Sequence, residues 1–268
     1  MCPSALARSQ ARNSLSGVSI SKRILFSAVL PRPGILKIQT VTFRSGPEKV
    51  IGFLVSTHES GRQRAVIAIH EWWGLNDWVK GQAANLAANG YIVLAVDLYR
   101  GKVTANPVEA RRLKRSLRED RAIRVLKAAF DYLTRRPDVD PGRICSMGWS
   151  MGGGLVLQLA IHEPRLAACV VNYGSLPTEP ADIQKINARV LGIFGSLDRG
   201  IPPDQVRAFE KSMRTVKKHI DIKIYDGAAH AFENPTNKSG YRPEATDDAW
   251  LRTLTFLDQA TKSKSPAP

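Results

Sequence analysis

Short apolar runs and amphipathic stretches take turns along most of this chain, and that alternation leaves few folds open. The runs at 65–69, 91–96, 143–147, 168–173, 189–194 and 220–225 are rich in Val, Ile and Leu. Helical periodicity fills the segments near 77–89, 107–134, 151–163, 202–217 and 243–260. Near-continuous apolar strands separated by helices predict a mostly parallel sheet with helices on both faces. Ahead of them, I-L-K-I-Q-T-V-T-F alternates like a half-buried strand. K-V-I-G-F-L-V follows after Ser45-Gly46-Pro47, which predicts an antiparallel hairpin. The expectation is a single α/β domain over 35–262 with an eight-stranded sheet and a frayed tail at 263–268.

Composition excludes several classes. The chain has 268 residues, is 43% hydrophobic and 24% charged, and so matches neither a disordered nor a collagen-like sequence. Its longest apolar stretches reach only about 6–8 residues, too short to span a bilayer. Cys2, Cys145 and Cys169 stand singly, with no C-x-x-C pair. That argues against a structural zinc site or redox motif and fits a reducing compartment. Cys145 and Cys169 fall in strand-like runs and are expected to be buried.

The net charge of +15 is unevenly placed. Residues 1–47 carry Arg8, Arg12, Lys22, Arg23, Arg32, Lys37 and Arg44 and no acid. Residues 1–34, rich in Ser, Arg and Ala, are read as a basic leader outside the fold. They match an organellar (mitochondrial) transit peptide, a disordered leader or residues added by an upstream start codon; a secretory signal fits less well, since no small-x-small cleavage site follows I-L-F-S-A-V-L. A cytoplasmic protein is expected, with an organellar location as the alternative. A second basic cluster joins Arg111, Arg112, Lys114, Arg115, Arg118, Arg121, Arg124 and Lys127. With no interleaved aromatics it is read as a solvated helix face, and no nucleic-acid or membrane partner is expected.

Gly148-Trp149-Ser150-Met151-Gly152 follows the strand R-I-C-S-M and opens the helix G-G-L-V-L-Q-L-A-I-H. A G-x-S-x-G turn between strand and helix forms a nucleophile elbow. The bend is so tight that side chains two before and two after the serine would collide with their neighbours. Gly153 and Gly154 are read as close helix–sheet packing.

A serine hydroxyl needs a base, and the base needs a group that fixes its tautomer. On this kind of sheet the chain order is Ser, acid, His. Asp198, after V-L-G-I-F, and His230, after I-D-I-K-I-Y, supply that order at two further strand ends. Asp226 is the runner-up acid. His58, His70, His162 and His219 fit the base role less well. Donors for a developing oxyanion are expected from the N–H groups of Met151 and Trp72, the latter in the loop H-E-W-W-G-L-N-D. Trp72 and Trp73 also suit the wall of a pocket.

With H-E-W-W-G-L-N, V-D-L-Y-R, G-W-S-M-G-G, F-G-S-L-D-R-G-I-P and Y-D-G-A-A-H-A-F in place, the chain resembles the dienelactone hydrolase family of α/β-hydrolases over roughly residues 40–260. The resemblance implies an α/β-hydrolase fold and a carboxylic ester or lactone hydrolase with nucleophile Ser150, acid Asp198 and base His230. Founding members of the family use a Cys nucleophile, which a Glu at the position of Glu71 helps to ionise; Ser150 stands there here. The family holds a substrate carboxylate with two arginines. Arg100 matches the first with a one-residue offset, and Asn234 stands near the second. With one clamp missing, a broader ester or lactone range is expected. The expected substrate-binding residues are Glu71, Trp73, Arg100, Trp149 and Asn234. No cofactor or metal is called for. The expected partner is a small-molecule ester or lactone, the protein being a monomer or homodimer. Acyl transfer or perhydrolysis on the same fold, and a hydrolase-fold protein that only binds a ligand, are the alternatives.

Overall fold

A computed structural model describes residues 35–57 and 60–262, so the leader at 1–34, the tail at 263–268, Cys2 and His58 lie outside the described residues. Strands β1 (Lys37–Ser45) and β2 (Glu48–Ser56) form the expected hairpin, with Gly46 at φ 60° in its turn. The others are β3 (Gln63–Ile69), β4 (Tyr91–Val96), β5 (Val139–Trp149), β6 (Ala168–Asn172), β7 (Arg189–Gly195) and β8 (Ile220–Tyr225). They form one sheet in the order β1-β2-β4-β3-β5-β6-β7-β8. Only β1–β2 and β2–β4 pair antiparallel; every contact from β4 through β3 to β8 is parallel.

Burial explains the sequence pattern. Each residue of Y-I-V-L-A-V in β4 is buried, as a strand packed on both faces requires. Two apolar clusters cover the two faces. One contains Ile67, Leu94, Phe130 and Phe194; the other contains Val66, Val93, Trp149 and Phe232. Cys145 and Cys169 are buried as expected. The helices are α1 (Asp77–Ala88), α2 (Pro107–Ser116), α3 (Glu119–Thr134), α4 (Met151–His162), α5 (Pro180–Lys185), α6 (Pro203–Thr215) and α7 (Pro243–Thr261). The Asn76 and Asn106 side chains cap α1 and α2 by accepting from the Val79 and Val108 N–H groups. No described helix is long and apolar enough to cross a membrane.

One expected helix is two. The stretch near 107–134 breaks at Leu117 and Arg118, whose ψ angles of 104° and 135° are extended. The apolar stripe slips at that point. Leu113 is buried in α2, and Ala122, Val125, Leu126 and Ala129 are buried in α3. Nine residues separate Leu113 from Ala122, about two and a half turns, so one continuous helix would aim them to opposite sides. The break lets both face the core. The short α5 has no counterpart in the expected pattern.

The helix α1 also carries an avoidable cost. Gly81 is exposed in its interior, and a Cβ there would meet nothing within 4 Å. Gly81→Ala is expected to stabilise the protein by about 0.5–1 kcal/mol in urea unfolding, through helix propensity alone.

Candidate active site

Because β3, β5, β7 and β8 run parallel, their carboxyl ends lie along one edge of the sheet. The loop at Glu71–Trp73 follows β3, Ser150 follows β5, Asp198 follows β7 and His230 follows β8. The sheet order reverses around β3, and ligands of open α/β sheets bind at such a switch point.

Sterics build the elbow. A Cβ on Gly148 would stand 2.5 Å from the Gly152 carbonyl oxygen, and a Cβ on Gly152 would stand 2.2 Å from the Ile69 carbonyl oxygen. The predicted collisions are therefore with the new helix on one side and the end of β3 on the other. Gly153 and Gly154 pack as closely against Gly174 and Ser175. Ser150 has φ 52° and ψ −112°, a strained conformation for a residue with a Cβ. Asn172 holds it there. Its carbonyl accepts from the Ser150 N–H at 2.9 Å, and its side-chain amide donates to the Gly148 carbonyl at 3.1 Å.

The three expected groups meet. Ser150 Oγ is 2.8 Å from His230 Nε2, and His230 Nδ1 is 2.7 Å from Asp198 Oδ2. The other Asp198 oxygen accepts from the N–H groups of Gly200 and Ile201 at 2.8 and 3.1 Å. Burial alone would raise the Asp198 pKa, but the His230 hydrogen bond, its charge and the two backbone donors outweigh that, so the carboxyl stands below its ordinary range. The Tyr173 ring packs edge-on to the His230 imidazole at 5.3 Å between centroids.

The competing groups are accounted for. Asp226 accepts from the Ser196 hydroxyl at 3.1 Å and serves a turn. His70 is fully buried. The Leu98 N–H donates to its Nε2, so the proton sits on Nδ1 and is donated to the Glu71 carbonyl at 2.5 Å. His70 thereby anchors the loop after β3. His162 bonds the Gln158 carbonyl and His219 pairs with Arg189.

Two cavities, of about 430 and 500 Å³, share Ser150 and His230. Glu71, Trp72, Trp73 and Asn234 line the second. Close approach of Gly152 to Ile69 sets the first turn of α4 beside the loop that carries Trp72. Glu71 is buried, accepts from the Asn234 amide at 2.8 Å, and has its pKa pushed up to about 7 by burial.

Two of the expected substrate-binding residues, Arg100 and Trp149, do not line the cavities. Arg100 lines neither cavity; its guanidinium pairs with Glu48 at 2.9 Å and is mostly exposed. Glu48, at the start of β2, also takes Arg121 at 2.6 Å, and these arginines hold its pKa down at about 2. Trp149 is fully buried beneath the elbow, where its indole N–H donates to Glu233 at 3.1 Å and its ring packs edge-on to Trp78. Ser150 takes the crest of the bend, which leaves the preceding side chain facing the core. Asn172, Tyr173 and Glu233 escaped the sequence reading. The only hint of Asn172 was a polar residue ending a fully apolar strand. Among the described residues no group of three His, Cys, Asp or Glu side chains could hold a metal ion.

The sheet and its covering helices form the α/β-hydrolase fold. The chain belongs to the dienelactone hydrolase family, whose profile matches residues 50–261. A carboxymethylenebutenolidase-like protein of Saccharolobus solfataricus is 33% identical over 265 residues, covering 83% of this chain and 98% of its own. A Bradyrhizobium protein bearing the name of a 2-oxo-3-(5-oxofuran-2-ylidene)propanoate lactonase is 28% identical, covering 78% and 89%. The crystal structure of a dienelactone hydrolase-like promiscuous phosphotriesterase from metagenomic libraries superposes with a TM-score of 0.79 at 25% identity, covering 85% and 99%.

Two outcomes follow from this geometry. Gly152→Ala has no room for its methyl group against backbone, and is expected to cost at least about 3 kcal/mol in urea unfolding, beyond ordinary overpacking. Glu233 is buried, and burial pushes its pKa up to about 8 from an ordinary 4.5, the charge of Glu71 adding to the rise. A carboxyl raised in the folded state stabilises most below pH 4.5 and loses that contribution as pH climbs through 8. Glu233→Gln is therefore expected to melt near the wild-type temperature at pH 5 and above it at pH 9, read by calorimetry across that range.

Proposed function

We propose that the protein is a serine hydrolase of carboxylic esters or lactones, acting through Ser150, His230 and Asp198. The observation that carries this reading is the continuous line of hydrogen bonds, 2.8 and 2.7 Å long, from Ser150 Oγ through the imidazole to Asp198. With Nδ1–H donated to the carboxylate, Nε2 is free to accept the serine proton. Ser150 Oγ attacks the carbonyl carbon as His230 takes that proton. The tetrahedral oxyanion is met by the N–H groups of Met151, in the first turn of α4, and Trp72. Collapse breaks the bond to the leaving oxygen, which receives the proton from His230. Water, deprotonated by the same imidazole, then attacks the acyl-enzyme, and Ser150 departs with its proton restored. A lactone passes through the same steps with the leaving oxygen tethered. The chemistry asks for no cofactor.

Names of relatives support the substrate class, since they refer to a carboxymethylenebutenolide and to a lactone. The two cavities beside Ser150 give room for the acyl and leaving groups. A fluorophosphonate probe is expected to label Ser150, located by peptide mass spectrometry. Ser150→Ala should lose labelling and at least about 10³-fold in kcat/KM on short p-nitrophenyl esters, with Asp198→Asn losing a comparable factor. Full turnover by Ser150→Ala would overturn the assignment. Folded wild-type protein that neither labels nor turns over would be a ligand-binding relative instead.

A further inference from the structure

The basic cluster from Arg111 to Lys127 divides in two once its partners are known. Arg112 pairs with Glu109, Arg118 and Arg124 with Asp120, and Arg121 with Glu48. Lys127 donates to the His162 carbonyl. Among the described residues, Arg111, Lys114 and Arg115 make no ion pair. Spaced i, i+3 and i+4, they share one face of α2. Lys114 is the one that reaches the site: it is exposed on α2 and lines both cavities that Ser150 and His230 line.

From this placement, which rests on the hydrolase reading above, we infer that Lys114 is a specificity-determining residue that binds an anionic group, a carboxylate, on the substrate. The other charged side chains around the two cavities are Glu71 and Glu119. Glu71 is buried and bonded to Asn234, and Glu119 forms no ion pair with Lys114. No acid sits three or four residues from Lys114 on its own helix. The ammonium is therefore held by no ion pair at the mouth of the site, where Glu119 shares the first cavity and Arg111 and Arg115 on its own helix face weight the potential positive. Arg100 and Asn234 leave this role open, the first paired with Glu48 and the second with its amide committed to Glu71 and Thr236. An ester with a carboxylate a few bonds from the scissile carbonyl would place that group against Lys114 while Ser150 attacks.

The test compares two esters of matched length, mono-p-nitrophenyl adipate, which ends in a carboxylate, and neutral p-nitrophenyl hexanoate. Wild-type protein is expected to favour the adipate ester in kcat/KM, with a preference that fades at high salt. Lys114→Met should lower the ratio of the two about tenfold or more, the size of one hydrogen bond to a charged group. Lys114→Arg should keep the ratio and Lys114→Glu should reverse it. An unchanged ratio in Lys114→Met overturns the inference. So does an equal fall in Arg111→Met or Arg115→Met, which would mark a diffuse field rather than a contact. Turnover of neither ester by wild-type protein defeats the hydrolase reading and the inference with it, whereas turnover of both without preference defeats the inference alone.

Discussion

The contact between the first turn of α4 and the carboxyl end of β3 is the constraint on which the site rests. Gly152 lies so near the Ile69 carbonyl that no side chain fits, and Gly148 meets the helix with equal lack of room. This approach sets free N–H groups of a helix start beside the loop of Trp72 and Trp73. It also forces Ser150 into a backbone conformation costing about 1–3 kcal/mol. That cost is met by a sheet whose central strands are buried on both faces, and by Asn172, which ties both sides of the bend to β6. A looser turn would spare the strain and lose the alignment with His230.

Three buried carboxyls, Asp198 and Glu71 at the site and Glu233 under the elbow, show how burial and hydrogen bonding divide labour. Asp198 is buried but accepts from His230 and two backbone N–H groups, which keep it ionised. Glu71 has one amide donor, from Asn234, and Glu233 has one indole donor, from Trp149. Neither has enough donors to offset desolvation, so both hold a proton more readily than an ordinary glutamate. Asp198 is the carboxylate that touches the His230 ring.

Much of this is legible in the amino-acid sequence. Strand ends could be read because the apolar runs stop sharply, and Ser150, Asp198 and His230 each sit just past such an end. A parallel sheet then places them on one edge without further information. What could not be read depended on partners distant in sequence. Arg100 is drawn away by Glu48, 52 residues earlier, and Trp149 is fixed by Glu233, 84 residues later. Spacing carries no trace of either. The helix break at Leu117 was encoded in the slip of the apolar stripe, but a run of basic residues around it reads equally well as one long solvated helix.

That break changes the meaning of the charge run. Along α3 the apolar stripe of Ala122, Val125, Leu126 and Ala129 is buried, and Arg121 and Arg124 are neutralised by Glu48 and Asp120. α2 buries only Ala110 and Leu113, and its remaining surface is free to turn elsewhere. Had the helix run straight through, Leu113 and Ala122 could not both have reached the core, and α2 would have pointed away from the sheet edge. Breaking it satisfies both apolar stripes and leaves Lys114, held by no ion pair, on the rim of the cavities that Ser150 lines. A packing requirement in the core thereby fixes the electrostatics at the mouth of the site.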